Sequence, residues 1–173
     1  MAAEAEAAEE QIEISNKKDN MKIRSAGLED FDRVMEMMIN FANSSPYQAH
    51  HNPQYNDVYV RKLLCHIIQN GCVLVGEVEG ELQGMIIGMI NSDPWLPEVK
   101  TLREIAWWVE ESHRFSSLGY KLLKKYVTYG EKLRANGVID GFTLTLMDQS
   151  PDLGLEKRGW QPIERNFLFE GQN

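Results

Sequence analysis

The chain has 173 residues and a formal net charge of −8, with 43% hydrophobic and 25% charged residues. Such a length and composition suit one globular domain with a sizeable core and leave little room for a second. The acidic balance argues against a nucleic-acid partner and favours a cationic acceptor, such as an amine, a peptide or a protein.

Neither the cysteines nor the apolar runs indicate export, a membrane or a metal. Cys65 and Cys72 are seven apart without a Cys-x-x-Cys pair, so neither a disulfide framework nor a zinc site is predicted. The longest apolar run, residues 85–90, is too short to cross a bilayer, and residues 1–20 lack a secretion signal. We expect a soluble cytoplasmic protein without a metal or membrane partner. Whether it forms a homodimer is left open.

Residues 1–20 differ in composition from the rest of the chain. They are dominated by Ala, Glu, Lys, Asn and Asp, with only two large aliphatic residues. Such a segment buries too little apolar surface to fold, so we predict an acidic, disordered tail. A docking or autoregulatory arm is the alternative. Residues 21–173 are predicted to form a single domain.

The first half of this domain predicts one strand and two helices. The strand covers residues 21–25, and the first helix opens near Gly27 and breaks at residues 43–46. Its methionines indicate either core packing or an adaptable surface facing a substrate. The second helix begins at Asn56 or Asp57 and ends at Gly71. The predicted inner stripe of the first helix comprises Phe31, Val34, Met35, Met38 and Ala42.

Two strand-like runs follow, residues 72–78 and 82–90, and the turn between them predicts an antiparallel hairpin. Residues 102–109 then predict a central strand with two mostly apolar faces. One face would carry Arg103, Ile105, Trp107 and Val109, and the other Leu102, Glu104, Ala106 and Trp108.

The second half continues with a long helix from near Ser117 to Gly137, whose buried stripe includes Leu122, Leu123 and Tyr126. A buried strand over residues 142–147, a short helix over residues 151–158 and a last strand over residues 161–169 are predicted to close the chain. The order predicts an α/β (α+β) sandwich with a mixed sheet.

The loop before the long helix reads Arg114-Phe115-Ser116-Ser117-Leu118-Gly119. Most of its side chains are small or polar, so successive backbone N–H groups can face outward at a helix N-terminus, where the helix dipole favours an anion. The loop therefore predicts a phosphate cradle.

Arg114-x-x-Ser117-x-Gly119 resembles the Arg/Gln-x-x-Gly-x-Gly/Ala loop with which the GNAT superfamily of acyl-CoA N-acyltransferases binds the pyrophosphate of coenzyme A, with serine in place of the first glycine. The segment Lys157-Arg158-Gly159-Trp160 resembles the family's Lys-x-Gly-Phe close. The Trp-rich strand before a Ser-containing loop is most similar to acetyltransferases found in phage genomes, which would place the protein in the host cytoplasm.

For residues 21–170 the resemblance implies a mixed, mostly antiparallel central sheet with helices on both faces. It also implies acetyl-CoA as cosubstrate and a small-molecule or protein amine as acceptor. The implied contacts with coenzyme A are Trp108, Val109, Arg114, Phe115, Ser116, Ser117, Leu118, Gly119, Tyr120 and Asp148.

Acyl transfer to an amine needs a group that accepts the amine proton. Glu104 stands where some members of the family keep a glutamate base, and partial burial would raise its pKa enough for that role. The alternative is an ordinary strand glutamate paired with a nearby arginine.

The chain departs from the family at the acid that protonates the leaving thiolate. The expected tyrosine falls on Leu155, and no tyrosine follows Tyr129. The thiolate would then take its proton from water or from another side chain, and Tyr120, the nearest phenol in sequence, is our candidate for such an acid. Two functions therefore stay open, an N-acetyltransferase and a catalytically weak acyl-CoA-binding or protein-interaction module.

Overall fold

The computed structural model describes residues 21–45, 56–147 and 150–167. Within them one sheet has the strand order β1-β2-β3-β4-β5. Pairing is antiparallel from β1 to β4 and parallel between β4 and β5, which confirms the mixed, mostly antiparallel sheet. The strands are β1 (Met21–Ser25), β2 (Cys72–Val78), β3 (Glu81–Ser92), β4 (Lys100–Val109) and β5 (Gly141–Thr143).

Three α-helices cover the sheet, and caps confirm the predicted start of the second and the predicted end of the third. They are α1 (Phe31–Ser44), α2 (Asp57–Asn70) and α3 (Leu118–Ala135). The Asn56 side chain caps α2 by accepting a hydrogen bond from the Tyr59 N–H at 3.0 Å. Gly137 follows α3 with φ of +67°, the left-handed conformation that glycine adopts without strain.

The two faces of the sheet carry separate apolar cores, which confirms helices on both faces. Helices α1 and α2 cover one face, whose core includes Val75, Ile87, Ala106 and Trp108. Helix α3 covers the other face, whose core includes Tyr126. The internal strands read as nearly continuous apolar runs because both of their faces are buried.

Strand β4 does not alternate as predicted, because a bulge interrupts it. Ile87 pairs with Ala106 and the next residue of β3, Gly88, pairs with Glu104, so Ile105 is the extra residue. Ile105 and Ala106 both pack toward α1 and α2. The predicted faces are therefore wrong across the bulge: Leu102 packs against α3, whereas Trp108 packs on the opposite face.

The chain after α3 is less regular than predicted. Strand β5 stops at Thr143 instead of residue 147, and residues 161–167 form no strand. The predicted helix over residues 151–158 is a single 3₁₀ turn, Glu156–Arg158. On α1 the predicted stripe is also displaced, because Met37 is fully buried and Met38 only half-buried. Local apolar patterns indicated burial in these stretches but not the partner strand or helix that would make them regular.

Helix α3 begins very close to the sheet. A Cβ atom at Gly76 would lie 2.5 Å from Cδ1 of Leu118, and one at Gly84 would lie 3.3 Å from Cδ2 of the same side chain. These glycines make room for Leu118, the first residue of α3. The loop that precedes α3 is thereby held against the end of β4.

Candidate active site

The sheet splits between β4 and β5. Their last backbone pair is Arg103 with Thr143, and within the described residues no backbone hydrogen bond joins residues 104–109 to residues 144–147. At the closed end of the split, the Tyr126 hydroxyl lies 3.0 Å from the Thr143 carbonyl oxygen and 3.3 Å from that of Leu102. Helix α3 thus fixes the point from which the two strands diverge.

Glu104 is the first residue of β4 beyond this point. Its side chain is buried, and its carboxylate accepts a hydrogen bond from the Thr145 N–H at 3.1 Å. Burial raises the pKa of Glu104 to about 7, although the hydrogen bond from Thr145 opposes the shift. A carboxylate with this pKa changes its protonation state near neutral pH, as a general base requires. Among the described residues no arginine pairs with Glu104, so the pairing that the alternative expected is absent there.

The loop before α3 lies at the open end of the split. The His113 carbonyl oxygen accepts hydrogen bonds from the Ser116 N–H at 3.0 Å and from the Ser116 hydroxyl at 2.7 Å. The same hydroxyl oxygen accepts from the Leu118 N–H at 3.2 Å. These bonds leave the N–H groups of Ser117, Gly119 and Tyr120 without a partner in the described residues. Such a set of free donors at a helix N-terminus is suited to an anion.

Gly119 leaves open the space in front of these donors. A Cβ atom there would make ordinary contacts, 3.7 Å to Cγ2 of Val109 and 3.8 Å to Cζ2 of Trp107. Neither packing nor backbone conformation therefore requires a glycine at this position. At a helix N-terminus, a residue without a side chain lets an anion approach the backbone N–H groups closely.

Arg114 and Trp108 lie together on the other side of β4. The Arg114 guanidinium carbon stands 4.5 Å from the centroid of the Trp108 ring, and its Nε donates to the Val109 carbonyl oxygen at 3.1 Å. Trp108 belongs to the core under α1 and α2. Of the two tryptophans, Trp107 is the one that faces the cradle. The predicted set of contacts with coenzyme A contained Trp108 and not Trp107.

The remaining loop residues differ in their surroundings. The Phe115 side chain is fully exposed beside the cradle, and Tyr120 is half-exposed on the first turn of α3. Arg158 reaches Tyr120 from the 3₁₀ turn that Leu155 precedes, with its Nη1 atom 3.3 Å from the phenol oxygen. The sequence motif contained Arg158 but no signal that it would contact Tyr120.

A family model described as the acetyltransferase (GNAT) family matches residues 35–151, more than half of the chain. The chain belongs to the GNAT family of acetyltransferases. Members of this family use acetyl-CoA, and acyl-CoA-dependent acyl transfer is the general chemistry that membership implies. Comparison with curated protein sequences gives no significant match.

Solved structures similar to this GNAT protein support the same fold. A possible acetyltransferase from Clostridium difficile 630 has 16% identity and a TM-score of 0.61 over 90% of this chain and 99% of its own. An aminoglycoside acetyltransferase from an uncultured soil metagenomic sample has 14% identity and a TM-score of 0.57 over 90% and 97%. A ribosomal-protein-alanine N-acetyltransferase from Brucella melitensis has 13% identity and a TM-score of 0.57 over 87% and 99%.

The GNAT protein also has a cavity of about 670 Å³ next to Trp108, on the side of β4 that faces α1. Its lining includes Glu36, Glu110 and Glu111. Arg33 lies between two of these carboxylates, with nitrogen to oxygen distances of 2.7 Å to Glu36 and 2.8 Å to Glu110. The indole N–H of Trp108 is buried and has no hydrogen-bond partner in the described residues.

Some predictions for the GNAT protein fall outside the described residues. Asp148 and the tail of residues 1–20 are among them. Within residues 21–45, 56–147 and 150–167, no three side chains are grouped as a metal would need. No helix in those ranges has the length and apolar character that a membrane crossing needs.

Proposed function

We propose that this protein is an N-acetyltransferase that moves an acetyl group from acetyl-CoA to a primary amine by direct attack on the thioester. The observation that carries the proposal is the buried Glu104 carboxylate at the closed end of the β4–β5 split. At the open end, the free N–H groups of Ser117, Gly119 and Tyr120 are suited to phosphate. A proton acceptor and an anion cradle at the two ends of one cleft match the two ends of acetyl-CoA.

The edge of β4 between these ends is suited to the pantetheine arm. Residues 104–109 have no backbone partner on the β5 side within the described part of the chain. From the first to the last Cα atom they span roughly 17 Å at about 3.3 Å per residue. An extended chain that carries amide groups can add to such an edge like another strand. This edge runs from the bulge near Ile105 to Val109 at the open end of the split.

In the proposed reaction Glu104 accepts the proton of the attacking amine, directly or through one water molecule. The amine nitrogen then forms a bond with the thioester carbon, and the carbon–sulfur bond breaks to leave a thiolate. The thiolate then takes its proton from water, because Tyr120, the candidate predicted from the sequence, lies in the first turn of α3 at the open end of the cleft, whereas Glu104 lies at the closed end.

We propose that the acceptor approaches through the cavity beside Trp108. Three carboxylates and one arginine, Arg33, line this cavity, so a cationic amine fits better than an anion. The net charge of −8 favours the same class of acceptor. Two structural neighbours are named for such chemistry, an aminoglycoside acetyltransferase and a ribosomal-protein-alanine N-acetyltransferase.

The test is to mix the purified protein with acetyl-CoA and a panel of primary amines and to measure free thiol. The panel should contain aminoglycosides, polyamines, lysine peptides and a peptide with an N-terminal alanine. Release of thiol that depends on the amine, and the matching acetylated product by mass spectrometry, are expected. Acetyl-CoA without amine and amine without protein are the controls.

A second function, an acyl-CoA-binding module with weak or no catalysis, is favoured by Leu155 in place of a tyrosine and by Ser117 in place of a glycine. The same assay separates the two functions. Binding of acetyl-CoA without thiol release for any amine would support the module and contradict the enzyme. Absence of any binding of coenzyme A would contradict both.

A further inference from the structure

Arg158 is brought to the phosphate cradle from 38 residues away along the chain. Its Nη1 atom lies 3.3 Å from the Tyr120 hydroxyl oxygen, and its guanidinium carbon lies 5.0 Å from the centroid of the Tyr120 ring. Tyr120 is the third residue of α3, and its backbone N–H is one of the free donors. A positive charge therefore lies against the side chain of a residue in the first turn of the helix that is proposed to bind phosphate.

The Arg158 side chain is held in this position by its own turn. Its Nε donates to the Leu153 carbonyl oxygen at 3.2 Å. The turn ends at Gly159, whose φ of +87° lies in the left-handed region that favours glycine. Trp160 then anchors the segment, since its ring packs edge-on against Phe142 of β5 at 5.6 Å. The guanidinium is thus oriented before any ligand arrives.

The two arginines beside the cradle differ in their charge partners. Arg114 has Glu111 at 3.5 Å, and its guanidinium stacks on Trp108, on the face of β4 that lies away from Gly119. Arg158 has no carboxylate within ion-pair distance among the described residues. Its Nε and Nη1 atoms already contact Leu153 and Tyr120, and the remaining guanidinium donors are available for the oxygens of an anion.

We propose that Arg158 is the arginine that binds the phosphates of coenzyme A in this protein, while Arg114 stabilises the end of β4. The inference rests on the proposed function, because it concerns the same cosubstrate. The ligand chemistry is that of a phosphate or diphosphate ester, held by Arg158 together with the free N–H groups of Ser117, Gly119 and Tyr120.

The test compares the affinities of four proteins for coenzyme A and for pantetheine, which lacks the phosphates. Isothermal titration is expected to give a roughly tenfold or larger loss of coenzyme A affinity in Arg158→Gln, as for a lost charge-assisted hydrogen bond. Pantetheine affinity should stay unchanged. Arg114→Gln should lose less coenzyme A affinity than Arg158→Gln. Arg134→Gln, an exposed change further along α3, is the matched control.

Three outcomes would overturn the inference. The first is an Arg158→Gln variant with wild-type affinity for coenzyme A. The second is an equal loss of affinity for coenzyme A and for pantetheine. The third is a higher affinity for coenzyme A in Arg158→Gln than in Arg114→Gln. Arg158→Met, which keeps the apolar stem, repeats the test if the glutamine variant melts early. A wild-type protein that binds no coenzyme A would instead contradict the proposed function.

Discussion

Glu104 and Thr145 meet across the split between β4 and β5, where the Thr145 N–H donates to the Glu104 carboxylate at 3.1 Å. This hydrogen bond favours the ionised carboxylate, yet the pKa of Glu104 rises to about 7. Burial is therefore the dominant effect. The protein keeps a group in its interior whose ionisation near neutral pH reduces its stability, and such groups concentrate at functional sites.

The first prediction concerns stability against pH. Between pH 4.5, the ordinary value for glutamate, and about 7, the folded protein holds a proton on Glu104 that the unfolded chain has released. The free energy of unfolding therefore falls as pH rises through this window, by roughly 3 kcal/mol in total. Glu104→Gln stays neutral, so urea denaturation should show it to be more stable than wild type at pH 8 and similar to it below pH 4.5.

The control for this prediction is Glu131→Gln, which removes a carboxylate from the exposed surface of α3. It should change the pH profile little. A difference between wild type and Glu104→Gln that is the same at pH 4 and pH 8 would show that packing, and not ionisation, separates them.

The second prediction concerns catalysis by the same residue. At pH 7 Glu104→Gln should lower kcat/KM by about a hundredfold, the lower end of what a general base contributes. The wild-type rate should fall below about pH 7 as Glu104 takes up a proton. The two rates should converge toward about pH 9 to 10, where amines lose their protons in bulk solution. Wild-type activity of the variant at pH 7 would remove Glu104 from the mechanism.

The third prediction concerns the cradle. Coenzyme A should raise the melting temperature, since a ligand at a hundred times its Kd stabilises the folded state by about 2.7 kcal/mol. Gly119→Glu should abolish the shift, because bulk and negative charge would meet the diphosphate. Gly119→Ala should keep part of it, since its Cβ would make only ordinary contacts.

Gly141→Glu is the matched control for charge and size, because a Cβ atom at Gly141 would meet nothing within 4 Å. It should retain the full shift with coenzyme A. If Gly119→Glu and Gly141→Glu behave alike, coenzyme A does not bind at the start of α3.

The fourth prediction compares two tyrosines of α3. Tyr126→Phe removes the hydroxyl between the carbonyl oxygens of Leu102 and Thr143, and Tyr129→Phe removes one that donates to the Gly71 carbonyl oxygen at 3.1 Å. Each change should lower the free energy of unfolding by about 1 to 2 kcal/mol. Only Tyr126→Phe should also weaken coenzyme A binding, because only that hydroxyl holds β4 and β5 together where they diverge.

Equal coenzyme A affinities in Tyr126→Phe and Tyr129→Phe, measured by titration calorimetry, would contradict this role of Tyr126. Chemical denaturation of both variants supplies the check that each has lost a comparable hydrogen bond.

Much of the fold could be predicted from the sequence, because its signals are local. The cap at Asn56 and the end of α3 near Gly137 depend on residues within one helical turn. In the same way Glu79 and Gly80, with φ of +54° and +89°, form the tight hairpin between β2 and β3. The motif from Arg114 to Gly119 also indicated where free N–H groups would lie.

The candidate site depended on contacts between residues far apart in the chain. No local period indicates that Ile105 is an extra residue in β4, since the bulge appears only when Gly88 pairs with Glu104. Strand β5 ends at Thr143 because the following residues lose β4 as a partner, although their own sequence is strand-like.

By itself the sequence determined the three α-helices, the hairpin and the position of the free N–H groups at the start of α3. Only the tertiary structure decided that Arg114 stacks on Trp108 while Arg158 contacts Tyr120. The physical reason is that a long cationic side chain finds its partner by charge and packing across space, which sequence spacing does not encode. The burial of Glu104, and with it the raised pKa, was decided in the same way, by segments that meet only in the fold.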